Sequence, residues 1–405
     1  MAWPSRSSRV TPQQRFLLLL ILVGALATVL GLVSRRARML PYPVVLAAAG
    51  VVVGLLPGEQ LPHVGADVIL LAFVPGLVFE AALTLDLSEL RRRLLPVSLL
   101  ATVGVALTVL LIGTLTHLAL GFSWASGMLL GAILAATDPI AVVTLLRQLK
   151  APAGLAAILE GESLFNDGTG VAVFSAVLAT IVAGHPSFGD ATIRFVEITI
   201  GGALIGVAVG FLGVALMRVA EDAPLEILAT LVIAYGSYLA ADLIHASGIV
   251  AVVAAGVVIA RYGSSTGKLH GTQLLGFWNL LAFVLNAILF ILVGAALPAS
   301  KLLPVAGLVV VAFVVMLITR AVPVYALLGG VDWRANAIPW RWRHFTFWGG
   351  LRGALSVALA LSVADIAQVD SRVSVVAYGV VLLSLLIQGG LIAPVARTLR
   401  IETAT

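Results

Sequence analysis

The chain has no cysteine, and only 11% of its 405 residues are charged. Without cysteine there are no disulfides, thiolate metal sites or cysteine nucleophiles. A soluble domain carries charge on about 25% of its residues, so a water-soluble enzyme, a nucleic-acid-binding protein and a disordered scaffold are all excluded as readings of the whole chain. Histidine is sparse as well. His63, His185, His245, His270 and His344 fall in loops or at span edges, His117 stands alone near a span end, and no His-Glu-x-x-His is present for a zinc protease. Nucleotide motifs are also missing. Gly263–Leu269 is one residue short of a phosphate loop and lacks its Ser or Thr, and Gly168-Thr-Gly170 lacks the third glycine of a dinucleotide fingerprint. No cofactor, nucleotide or nucleic-acid partner is expected, and any transport must run on an ion gradient.

What is present is apolar: 61% hydrophobic residues and a mean hydropathy of +1.13. A bilayer-crossing helix needs about 20 mostly apolar residues. Thirteen stretches qualify: 15–33, 41–56, 67–85, 95–119, 124–148, 152–182, 191–217, 224–243, 247–261, 272–298, 302–328, 345–364 and 372–396. The second and ninth are short. The chain is therefore read as an all-α polytopic membrane protein, with the first helix retained rather than cleaved as a signal peptide. Basic residues collect in cytoplasmic loops. Placing the amino terminus outside and the carboxyl terminus inside puts most of them on the inner face, among them Arg35, Arg36 and Arg38, Arg91–Arg93, Lys268, and Arg334, Arg341 and Arg343. Arg6, Arg9 and Arg15 at the amino terminus run against the rule. The expected location is the cell (plasma or inner) membrane.

Ionisable groups inside a span are costly and mark function by default. Glu80, Asp138, Glu160, Glu162, Asp167, Arg320 and Arg352 fall deep in these stretches. In Thr137-Asp138-Pro139, the proline lacks an N–H and pushes Asp138 toward an extended conformation, so the helix must break there. Freed carbonyls beside a carboxylate make a cation site, and broken helices are tolerated only where they line a cavity. In Glu160-Gly-Glu162-Ser163-Leu-Phe-Asn166-Asp167, helical spacing stacks Ser163 with Asp167, Glu160 lying one turn earlier. Glu162 and Asn166 stack on the adjoining face. One face thus offers hard oxygen ligands for an alkali cation and the next a structural polar pair. Gly349-Gly-Leu-Arg352-Gly predicts a second interrupted helix. Arg352 stays charged and needs a partner, for which Glu162 is the candidate; Arg320 pairs with an acid or braces a broken helix end. The fifth and twelfth spans run in opposite directions and break at comparable places. That is the pattern of an inverted repeat of spans 4–6 against 11–13, with the substrate site at the crossing.

Phe79-Glu80-Ala81, Thr137-Asp138-Pro139, Glu162-Ser163-Leu164-Phe165-Asn166-Asp167 and Gly349-Gly-Leu-Arg352-Gly-Ala-Leu-Ser356 together resemble the NhaP-type sodium/proton antiporters of the monovalent cation:proton antiporter-1 family, which is related to the animal sodium/hydrogen exchangers. The resemblance implies exchange of Na⁺ (or Li⁺) for H⁺ in an inverted-repeat fold with discontinuous crossing helices. Asp167 would be the central cation- and proton-binding carboxylate. Asp138, Ser163, the Thr137 carbonyl and Glu80 would complete or support the ion shell, Asn166 would hold its geometry, and Arg352 would neutralise Glu162. Asn166, where electrogenic relatives carry Asp, implies electroneutral one-for-one exchange. The family is homodimeric. Dimerisation helices would occupy 1–94 and 183–298, and a moving core would occupy 95–182 and 299–405, without the regulatory tail of animal relatives. Burial favours the protonated form of such a carboxylate, so proton and cation compete for it. K⁺ in place of Na⁺ stays open, because hard oxygens suit both. A cation channel and an intramembrane aspartyl protease built on Asp138 and Asp167 are the remaining classes.

Overall fold

The computed structural model describes residues 21, 24–32, 41–55, 65–184, 187–263, 271–295, 299–330 and 337–401. Arg6, Arg9, Arg15, Arg35, Arg36, Arg38, His63, His185, Lys268, His270 and Arg334 lie outside this set, as does most of the first predicted span. Among the described residues there are helices and turns and no strands, as an apolar solvent requires when every backbone N–H and C=O must be satisfied internally.

The helices run in order α1 (Tyr42–Leu55), α2 (Ala66–Thr84), α3 (Leu94–Leu120), α4 (Trp124–Ile133), α5 (Ile140–Gln148), α6 (Ala153–Val182), α7 (Phe188–Val219), α8 (Ala223–Asp242), α9 (Gly248–Tyr262), α10 (Gly271–Ala295), α11 (Ser300–Gly330), α12 (Trp340–Gly349), α13 (Ala354–Ser362) and α14 (Arg372–Thr398). Among the described residues, eight are long and apolar enough to cross a bilayer by themselves, and α1, α4 and α9 are shorter apolar helices. Two of the thirteen predicted stretches are interrupted, at the two places where the sequence predicts a break. The stretch 124–148 is two helices, α4 and α5, and 345–364 is covered by the end of α12 and by α13.

The first break begins before Pro139. Helix α4 ends at Ile133, residues 134–139 are non-helical, and Pro139 is the N-cap residue of α5. The ring of Pro139 would clash with the carbonyl one turn back and excludes α geometry at Asp138, so the whole preceding turn unwinds. The second break spans residues 350–353, where consecutive glycines lower the cost of leaving the helix.

Helices α7, α8 and α9 pack together, α8 and α9 also pack onto α2, and α1 packs along α10. On the other side α3, α4 and α6 form one group, joined by α11, α13 and α14. Helix α6 touches both sets, meeting α7 and α9 as well as α4. Close approach is bought with glycine where α1 crosses α10. A Cβ on Gly50 would strike Gly294 and the Ile291 carbonyl, and one on Gly294 would strike the Ala47 carbonyl.

Candidate functional site

The two breaks meet. The Asp138 N–H, left without a helical acceptor, donates to the Leu351 carbonyl at 2.8 Å. Arg352 donates from Nη1 to the carbonyls of Ala135 (2.9 Å) and Ala136 (3.2 Å). Each unwound strand thereby satisfies the other's orphaned backbone groups, and a guanidinium sits at the negative end of α4. Arg352 is fixed in turn from α14, where Ser384 Oγ accepts its backbone N–H at 3.0 Å and donates to Gln388 Oε1 at 2.6 Å. Both residues lie in a π-helical turn, Ser384–Gln388.

Helix α6 holds the first break from the side. Asn166 donates from Nδ2 to Thr137 Oγ1 (2.7 Å), and its Oδ1 accepts the Thr137 N–H (3.3 Å). Ser163 Oγ donates to the Thr137 carbonyl. That bond leaves the Ser163 lone pairs and the second lone pair of the carbonyl available to a cation. Asp138 Oδ1 accepts the Ile140 N–H at 3.0 Å. Asp167 is half-buried, and its charge interacts with that of Asp138.

These groups face a cavity of about 1610 Å³ lined by Thr137, Asp138, Ser163, Asp167 and Ser356 on one side and by Glu80, Phe283 and Asn286 on the other. It extends to Arg147 and Arg397, both exposed at the protein's edge. The chemistry on offer is the Asp138 and Asp167 carboxylates, hydroxyls and a backbone carbonyl facing one cavity, which Glu80 and Glu160 also line. Hard oxygen donors of this kind suit an alkali cation or a proton. Among the described residues no group of three or more His, Cys, Asp or Glu gathers as a metal site.

Asp138, Ser163, Thr137, Asn166 and Asp167 come together at the crossing. Glu80 and Glu160 line the same cavity without a hydrogen bond to the unwound strand. Glu160 is salt-bridged to Arg147 at 3.1 Å, and Glu80 interacts electrostatically with that pair. The direct ion pair of Glu162 is not with Arg352, the expected partner, although the two charges interact. Glu162 is held by Arg320 of α11, through Nη1 to Oε1 and through Nη2 to Oε2 at 2.9 Å. Arg320 also donates to the Thr346 carbonyl at 3.3 Å, so it both pairs with an acid and braces α12 near its broken end. Arg352 reaches the other way because the α4 carbonyls freed by the break need donors. Ser384, Gln388 and Asn286 are contributions that sequence reasoning missed. None lies near a motif, although a glutamine and an asparagine in apolar helices were signals in themselves.

Residues 21–398 match the profile of a family described as sodium/hydrogen exchanger, transmembrane. The chain is 36% identical over 385 residues to the Na(+)/H(+) antiporter ApNhaP of Aphanothece halophytica, covering 93% of this chain and 73% of that one. It is 34% identical over 400 residues to the Na(+)/H(+) antiporter NhaP of Pseudomonas aeruginosa, covering 95% and 92%. Its fold resembles that of the sodium proton antiporter MjNhaP1 from Methanocaldococcus jannaschii, with a TM-score of 0.81 at 20% identity over 97% of this chain and 99% of that one.

Proposed function

The chain belongs to the sodium/hydrogen exchanger family, a family of transporters rather than enzymes, and from that premise we propose that it exchanges Na⁺ or Li⁺ for H⁺, one for one, at Asp167. The observation that carries this reading is the convergence of Asp167, Asp138, Ser163 and the Thr137 carbonyl on one cavity beside a helix break. Cation and proton compete for the Asp167 carboxylate, with Asp138, Ser163 and Thr137 supplying further oxygens to the cation. Asn166 keeps the unwound strand in register, and Glu80 with Glu160 and Arg147 lies on the route in. Glu162 is already neutralised by Arg320 and Asn166 carries no charge, so the carboxylates left to titrate at the crossing are Asp138 and Asp167. This accounting favours electroneutral exchange.

Alternating access then needs one rule: the mobile helices move when the site carries either ion, and not when it is empty and charged, because an uncompensated carboxylate is costly to carry through an apolar barrier. In this reading residues 95–182 and 299–405 are the mobile core of a thirteen-span fold, its two interrupted helices related by an inverted repeat of spans 4–6 against 11–13. Residues 1–94 and 183–298 form the static, dimerising part in the cell membrane, with the amino terminus outside and the carboxyl terminus inside.

The test is cation-induced pH change in proteoliposomes, with Na⁺, Li⁺ and K⁺ added in turn. Proton movement on Na⁺ or Li⁺ addition, insensitive to an imposed membrane potential, supports the proposal. A response to K⁺ alone transfers the mechanism to K⁺/H⁺ exchange. Conductance without proton counterflow means a channel, and no proton movement from folded, inserted protein overturns antiport.

A further inference from the structure

At the edge of the bundle, on the face that carries Arg147 and Lys150, two basic segments distant in sequence are brought into contact. One is Arg91-Arg92-Arg93, between α2 and α3; the other is Trp340-Arg341-Trp342-Arg343, which opens α12. The Arg93 guanidinium lies over the Trp342 ring, 5.5 Å from its centre, and both side chains converge on Gly154, where an added Cβ would meet Trp342 at 3.2 Å and Arg93 at 3.3 Å. Trp340 stacks on Tyr325 of α11 with ring centres 5.1 Å apart, yet remains 60% exposed.

Among the described residues the nearby acids do not balance this charge. Glu89 is engaged by Arg92 at 3.2 Å, and the Asp86 carboxylate caps the helical turn Leu87–Arg92. Arg91 and Arg341 are exposed and have no acidic partner among the described residues. Immediately beyond the arginines, Leu94 and Leu95 at the start of α3 are exposed apolar side chains. Exposed arginines, an exposed Trp340 and exposed leucines gathered at one junction are the residue types of a membrane interface. Arginine forks match phosphate oxygens, and basic clusters beside a membrane helix attract anionic headgroups.

We propose that this junction is a binding site for an anionic phospholipid, whose headgroup phosphate is held by Arg91 and Arg341 while its acyl chains lie along Leu94 and Leu95. The lipid ties the α2–α3 connection to α12, the helix that leads into the second break. A free phosphate would find the same arginines but not the apolar floor, so the occupant is a lipid of the surrounding bilayer. The assignment is independent of which cation the protein moves.

The test is the thermal midpoint of the purified full-length chain in detergent, titrated with phosphatidylglycerol, phosphatidylcholine or inorganic phosphate. Phosphatidylglycerol is expected to raise the midpoint while the other two do not. Arg91→Ala with Arg341→Ala should weaken the half-saturating lipid concentration about 30-fold, at about 1 kcal/mol per arginine near the surface. Arg91→Lys with Arg341→Lys, which keeps the charge but not the fork, should recover part of the response. The charge-matched control, Arg194→Ala with Arg218→Ala, alters exposed arginines of α7 and should leave the response intact. An unchanged phosphatidylglycerol response in the Arg91/Arg341 double alanine variant, or an equal response to inorganic phosphate, would overturn the proposal.

Discussion

The guanidinium of Arg320 forks onto the carboxylate of Glu162 inside the bundle, at 4% and 1% exposure, and this leaves Arg352 to the carbonyls of Ala135 and Ala136. The two buried arginines therefore do different work. One cancels a charge and ties α6 to α11; the other binds the two helix breaks to each other.

Breaking the Glu162–Arg320 pair from one side strands a buried charge, which costs about 3–5 kcal/mol. Glu162→Gln and Arg320→Gln are each expected to lower the thermal midpoint sharply. Replacing both with apolar residues of similar size, Glu162→Leu with Arg320→Met, should recover much of that loss. A double-mutant cycle on thermal unfolding checks this, and additive single effects would refute the pairing.

Gly353 lies against the Asp138 side chain so closely that an added Cβ would overlap the carboxylate. Gly353→Ala must displace Asp138 or part the two breaks, so transport is expected to fall at least about tenfold, the scale of a small misplacement of a reacting group. Gly307→Ala, where a Cβ meets nothing within 4 Å, should leave transport unchanged. Initial rates of cation-driven proton movement for the two variants make the comparison.

Asn166→Leu removes both hydrogen bonds to Thr137 without removing a carboxylate. At about 1 kcal/mol net per bond, about 2 kcal/mol of stability should be lost. The half-saturating Na⁺ concentration should rise as well, because the Thr137 carbonyl is no longer held in place. Thermal unfolding and Na⁺ titration of transport test the two effects separately.

Outside the membrane helices, Asp370 accepts from Arg372 at 2.7 Å, and these hydrogen bonds hold its carboxyl below the usual carboxylate range. A lowered value in the folded state means the pair stabilises above the ordinary aspartate value, about 4, and that this stability is lost as pH falls through the lowered value. Asp370→Asn should therefore melt earlier than the parent chain at pH 7, with the difference shrinking below about pH 4. Melting curves across that range provide the check.

Much of the site was legible because its signals are local. Pro139 dictates a break wherever it falls in an apolar helix, and the four-residue spacing of Ser163 to Asp167 and of Glu162 to Asn166 assigns each pair to a face of α6. Pairings across the fold were not legible. Two buried arginines competed for Glu162, and the choice depends on how α11 and α12 lie against α6, which no spacing encodes. The extent of the first break was hidden for a related reason. Proline marks where a helix cannot continue, but the unwinding back to Leu134 is stabilised by Leu351 and Arg352, supplied by the second break far along the chain. The salt bridge of Glu160 to Arg147 was likewise invisible, although it removes Glu160 from the crossing.

Direct Na⁺ binding to the purified protein as a function of pH, for the parent chain and for Asp167→Asn, tests the central claim. If one cation and one proton compete for Asp167, the apparent dissociation constant should rise about tenfold for each unit of pH lost in the acidic limb, a slope of one proton per cation, and Asp167→Asn should abolish binding. Binding that is independent of pH, or that survives in Asp167→Asn, would contradict the account.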